Sequence, residues 1–185
     1  MSTIKVWTKQ HRTVPDVLAR DGVYRAKGRF IAMDLGEHAP LVLEVYDWLV
    51  RNSPAAATRP PGAEYPVWVS PVRQATMLPD ENTVVMELTL DEALITPVNI
   101  AKWGAMLNYS YLPRDEADAR RHKKLLADYG TSDARAFMTP FYPEIKREIL
   151  DSWPRLFDDG VRLGNDLTYG TIWEIRSEWM TDLLP

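Results

Sequence analysis

The sequence predicts an α+β fold: a single domain with a small mixed or antiparallel sheet of about four strands and about four or five helices. Three observations lead there. Stretches of period-two alternation and stretches of period 3.6 are mixed irregularly, with no repeated strand–helix–strand unit. The composition, 45% hydrophobic and 26% charged over 185 residues, is that of an ordinary globular chain. A chain of this length buries roughly two-thirds of its unfolded surface, so its core needs no disulfide or metal.

Ile4 to Gln10 alternates β-branched or small residues with longer ones and is the first expected strand. Thr13-Val14-Pro15-Asp16 reads as a helix start, and Gly22 as its stop, with Val14, Val17 and Leu18 as the apolar stripe. Val23 to Arg25 leaves it extended. From Pro40 to Arg51, Leu41, Val42, Val45, Trp48 and Leu49 recur at helical spacing. Residues 53–62, rich in Pro and Ala, form an exposed connector inside the domain. Tyr65 to Pro71 is a short strand bracketed by prolines, which suits a sheet edge.

Thr83 to Leu90 is the clearest strand, with Val84, Met86, Leu88 and Leu90 on one face. Pro97 to Tyr111 predicts a helix buried through Ile100, Trp103, Met106 and Leu107, with Lys102 on its far side. Asp115 to Tyr129, inside a charged helical insertion or flap at 114–141, reads as a largely exposed helix with a thin seam of Ala117, Leu125 and Leu126. Pro143 to Trp153 is a helix buried through Ile145, Ile149 and Trp153. Tyr169 to Arg176 alternates and is the last strand, with Glu174 turned outward on it.

Much chemistry is excluded. The longest run without an ionisable Asp, Glu, Lys or Arg, from Trp103 to Pro113, is far short of the roughly 20 apolar residues a membrane span needs. No signal-peptide pattern opens the chain and there is no cysteine, which places it in the cytoplasm. His11, His38 and His122 lack any zinc-binding spacing, so no metal is expected. The glycines form no phosphate-cradling loop and no Gly-x-Ser-x-Gly elbow. A net charge of -4 opposes a nucleic-acid footprint. The one basic run, Arg120 to Lys124, reads as a solvated helix face neutralised by Asp115, Glu116, Asp118 and Asp128.

Val6-Trp7-Thr8-x-Gln10, Gly22-Val23, Tyr46-Asp47-Trp48-Leu49, Tyr65-Pro66-Val67-Trp68, Trp103-x-x-x-Leu107-Asn108, Ser152 to Asp158 and Thr171 to Ile175 together resemble a small bacterial family. That family, the 3841 family, is known only as a domain of unknown function. The chain departs from its pattern at Gly170, near the place of an expected Gln, and in the long charged stretch from Arg114 to Phe141.

The order of elements is also similar to that of ADP-ribosyltransferases, which implies NAD as the substrate. Breaking the nicotinamide–ribose bond builds positive charge that a carboxylate stabilises. Glu174 is the expected carboxylate. Thr8 and Gln10 are expected to hold ribose, Tyr65 or Trp68 to stack on nicotinamide, Arg73 to meet a phosphate and Asn108 to bind substrate. The alternative is a non-catalytic interaction module in which exposed tryptophans and tyrosines form a binding patch for a protein partner or an identical subunit. Sequence does not fix the oligomeric state.

Overall fold

A computed structural model describes residues 2–28, 39–76 and 78–184; His38 lies outside them. The longest ladder forms where alternation is cleanest. Strand β1 (Thr3–His11) and strand β4 (Thr83–Asp91) pair antiparallel along their full length, from Thr3 opposite Asp91 to His11 opposite Thr83. Strand β8 (Met180–Leu184) adds to the other side of β4, with a register shift between Glu87 and Leu88. The first helix, α1 (Val14–Asp21), ends at Gly22 with φ 74°, and the Gly22 N–H closes on the Leu18 carbonyl. A glycine enters this left-handed conformation at no steric cost. The chain then enters β2 (Val23–Tyr24), which pairs with β7 (Ile175–Arg176).

A second three-stranded sheet has the order β3 (Val67–Val69), β6 (Thr168–Ile172), β5 (Thr96–Asn99). Pro66 precedes one edge strand and Pro97 lies in the other, where a missing N–H forfeits no central ladder bond. Gly170, in the central strand, has no room for a side chain: a Cβ there would lie 2.3 Å from Ile95 Cγ2 and 2.9 Å from Val69 Cγ2.

Contacts divide the chain into two compact units. The first comprises Met1–Gly36, Ser53–Pro97 and Tyr169–Pro185; the second comprises Glu37–Asn52 and Val98–Thr168. In the first, Val6, Met86, Leu88 and Leu90 pack with Val14 and Leu18 of α1 and with Val67, Val69, Ile172 and Ile175. The second is helical: α2 (Ala39–Asn52), α3 (Ile100–Leu107), α4 (Glu116–Asp128), α5 (Asp133–Met138) and α6 (Pro143–Ser152). Asn99, Asp115 and Ser132 cap three of these helices by accepting from the N–H three residues on. Trp153, fully buried, stands edge-on to Trp48 at 5.7 Å and stacks on Phe137 at 5.3 Å. No helix among the described residues is long and apolar enough to cross a membrane.

The α+β class and the main helices are as the sequence predicts, whereas several finer expectations are corrected. Pro97 to Asn99, expected at the start of a helix, lies in strand β5, and the helix runs only from Ile100 to Leu107 after the Asn99 cap; strand β8 has no expected counterpart because it alternates weakly. Lys102 is buried instead of facing water, its ammonium donating to the carbonyls of Arg155 at 2.9 Å and Asp158 at 2.7 Å. The expected last strand breaks at Trp173-Glu174, which turns Glu174 inward. On α4 the seam is not Ala117, which is exposed, but Asp118 and His122, which are buried.

Candidate functional site

In the first unit Thr8, Gln10 and Trp68 form one chain of contacts. The buried Thr8 hydroxyl donates to the Trp68 carbonyl at 2.7 Å and accepts from Gln10 Nε2 at 2.8 Å. The Thr8 hydroxyl, the Gln10 amide nitrogen and the Trp68 carbonyl are thus engaged within the protein. Glu174 belongs to a different cluster. It is 7% exposed, and Arg25 Nε donates to one carboxylate oxygen at 2.8 Å while Arg176 Nε donates to the other at 2.8 Å. Tyr65 covers Gly28, where a Cβ would lie 2.7 Å from the Tyr65 ring, and Arg73 sits exposed in a short 3-10 turn. Asn108 lies in the second unit as the C-cap of α3, its amide donating to the Gly104 carbonyl at 2.8 Å. Thr8, Gln10, Glu174 and Asn108 thus make side-chain hydrogen bonds within the protein, whereas the Arg73 side chain stands in solvent.

The polar centre of the second unit is built by residues that sequence reasoning placed in water. Asp118, His122 and Leu125 stand at i, i+4 and i+7, the spacing of a buried helical stripe. Asp118 Oδ2 accepts from the Tyr111 hydroxyl at 2.8 Å and the Arg114 N–H at 3.0 Å, and Oδ1 accepts from Arg121 Nη2 at 3.0 Å. Arg155 reaches both Asp118 and the Leu112 carbonyl. His122, 4% exposed, stacks on Tyr111 with ring centroids 4.0 Å apart. Its Nδ1 lies 2.8 Å from Glu148 Oε1 and its Nε2 2.6 Å from Asp133 Oδ1.

The electrostatics follow from these contacts. Burial opposes charge on His122, but hydrogen bonds to Asp133 and Glu148 outweigh it and raise the imidazole pKa. Burial likewise opposes charge on Asp118 and Glu148. Arg114 N–H, Tyr111 and Arg121 nevertheless hold Asp118 well below the usual carboxylate range, and Arg121 and His122 lower Glu148. Among the described residues no group of three or more such side chains is arranged to hold a metal ion.

Beside this network lies an open hollow of about 200 Å³, lined by Leu125, Tyr129, Tyr142, Ile145, Glu148 and, at its rim, Phe141. Pro143 and Glu144 complete it. Phe141 is 73% exposed and Tyr129 61%, whereas every tryptophan is buried or half-buried. The expectation of exposed tryptophans is therefore corrected: the exposed aromatic surface is Phe and Tyr. The legible signal was Pro140-Phe141-Tyr142-Pro143, two rings set between two prolines in the link from α5 to α6.

The chain belongs to the family described as domain of unknown function DUF3841, which it matches over residues 5–181. No curated protein and no solved structure matches it.

Proposed function

We propose that this member of the family is a non-catalytic binding module that docks a protein partner at the aromatic hollow of its helical unit. One observation carries the reading. Phe141 and Tyr129, large apolar rings, stand mostly in water around a concave, partly apolar hollow. Exposed aromatic surface around a concavity is what interaction sites supply and solvated surfaces avoid. Pro143 limits the backbone of Tyr142 before binding, which lowers the entropy cost of association. A reducing, cytoplasmic setting is part of the proposal and is supported by the lack of cysteine.

The NAD reading fares less well on the same grounds. A carboxylate that stabilises a ribosyl cation must be free to face it, and both oxygens of Glu174 are occupied by guanidinium groups. The Thr8 hydroxyl is taken by Gln10 Nε2 and the Trp68 carbonyl.

An amide NMR titration of the full chain with p-cresol and isobutanol tests the proposal. Saturable shifts are expected at Leu125, Tyr129, Phe141 and Ile145, and are expected to vanish in Phe141→Ala while the remaining spectrum stays in place. Shifts scattered over both units, or none, would overturn it. A parallel thermal-shift titration with NAD, nicotinamide and ADP-ribose is expected to leave the melting temperature unchanged. A dose-dependent rise with NAD, lost in a folded Glu174→Gln protein, would restore the enzyme reading.

A further inference from the structure

We infer that the group the hollow takes is an arginine side chain of the partner protein. This deepens the binding reading and rests on it. Size comes first. At about 200 Å³ the hollow is smaller than the roughly 300–1,000 Å³ of small-molecule and cofactor sites, so it suits one long side chain better than a nucleotide.

Charge selects the kind of side chain. The ionisable lining groups are the two carboxylates, Glu144 and Glu148, together with tyrosine hydroxyls; no lysine, arginine or histidine lines the wall. Glu148 spends Oε1 on both Arg121 Nη2, at 2.7 Å, and His122, and its Oε2 makes no hydrogen bond among the described residues. Among the described residues Glu144 pairs with Arg147 alone, through side chains 79% and 66% exposed, and such surface pairs are weak and readily exchanged. Leu125, Pro143 and Ile145 supply an apolar wall for an aliphatic stem.

Geometry favours guanidinium over ammonium. A planar guanidinium stacks on aromatic rings and pairs with carboxylate through parallel hydrogen bonds, which a compact ammonium cannot do. The protein already uses this combination next to the hollow. Arg121 and Arg155 lie 5.7 Å and 5.2 Å from the Tyr111 ring centroid while both contact Asp118. Arg135 lies 5.8 Å from the Tyr142 ring, which itself lines the hollow. In the hollow Arg121 already pairs with Glu148 Oε1 at 2.7 Å and the exposed Arg147 with Glu144 at 3.2 Å, so an incoming guanidinium takes Glu148 Oε2 and exchanges with Arg147 at Glu144.

The test is an NMR titration of the full chain with three peptides, acetyl-Gly-Xaa-Gly-amide, where Xaa is arginine, lysine or citrulline. Citrulline keeps the shape of arginine without its charge. The arginine peptide is expected to give saturable shifts at Tyr129, Phe141 and Tyr142, with an affinity at least about tenfold above the citrulline peptide and weakening as salt is added. Phe141→Ala and Glu144→Gln, both at exposed positions, are expected to abolish or reduce those shifts without disturbing the rest of the spectrum. Equal binding of arginine and citrulline peptides would overturn the cationic occupant and leave the binding reading standing. Tighter binding of lysine would overturn the choice of guanidinium. No response to any peptide would overturn the inference, with the p-cresol titration alone then deciding whether the hollow binds at all.

Discussion

Glu174 is the residue on which two readings of this chain divide most sharply. As a catalytic carboxylate its replacement by Gln would cost turnover and little stability. As the centre of an Arg25–Glu174–Arg176 cluster, Glu174→Gln leaves two guanidinium groups facing a neutral amide. Because Arg176 is half exposed, solvent screens much of the loss, and the expected destabilisation is about 1–2 kcal/mol. Urea denaturation checks it: the midpoint should fall with an unchanged slope. An unmoved midpoint would remove the structural role. Tyr109 offers a second test at this scale. It sits at φ 59° just past the C-cap Asn108, with its N–H bonded to Met106 and the Ser110 N–H to Ala105, a position where glycine is usual. Tyr109→Ala and Tyr109→Gly both lose the stack on Phe137, so their difference isolates backbone strain. The glycine variant is expected to be the more stable by about 1 kcal/mol, read from paired denaturation midpoints.

Helix α4 shows what a sequence pattern does and does not disclose. Its start was legible in Asp115 and its end near Tyr129, because capping and periodicity are local properties. Its buried face was not, because Asp118 and His122 are polar and burial of polar groups depends on partners far along the chain: Glu148, Asp133 and Arg155. The same holds for Glu174, whose partner Arg25 lies 149 positions away, and for Lys102. By contrast β1, β4 and α6 were legible because their apolar residues alone set which face turns inward. The hollow is not marked by tryptophan, every one of which is buried or half-buried; Pro140-Phe141-Tyr142-Pro143 carries its signal.

The α4 network also sets a pH dependence. His122 has a raised pKa when folded, so its contribution to stability is complete below the unfolded value of about 6.5 and is lost as pH rises through the folded value. Glu148 and Asp118 have lowered values, so their contributions hold above about pH 4–4.5 and are lost on acidification. Thermal stability is therefore expected to peak between about pH 5 and 6.5 and to decline from there as pH rises through the raised folded value of His122. Melting curves of His122→Gln across the same range should be lower and flatter on the alkaline side. An unchanged alkaline slope in that variant would assign the decline to other groups.

At the scale of the whole molecule the two units are woven together by the path of the chain. The sheet unit is made of three stretches, and between the second and third the chain runs through Val98–Thr168 in the helical unit. If the helical unit unfolded alone, the sheet unit would have to hold closed a loop of about 70 residues, at an entropic cost that scales as (3/2)RT ln n and reaches about 4 kcal/mol. That cost is comparable with the whole stability of many domains, about 5–15 kcal/mol. Unfolding of one unit therefore drains the stability of the other. Trp153→Ala, which opens a cavity at a fully buried position in the helical unit, is expected to destabilise by about 3–5 kcal/mol. Native-state hydrogen exchange locates the loss. Amides of β1 and β4, which contain no atom of the substituted site, should lose protection together with those of α3 and α6 and by a similar factor. Retained protection in β1 and β4 beside exchange in the helices would mean that the sheet unit tolerates the open loop and that the two units unfold independently.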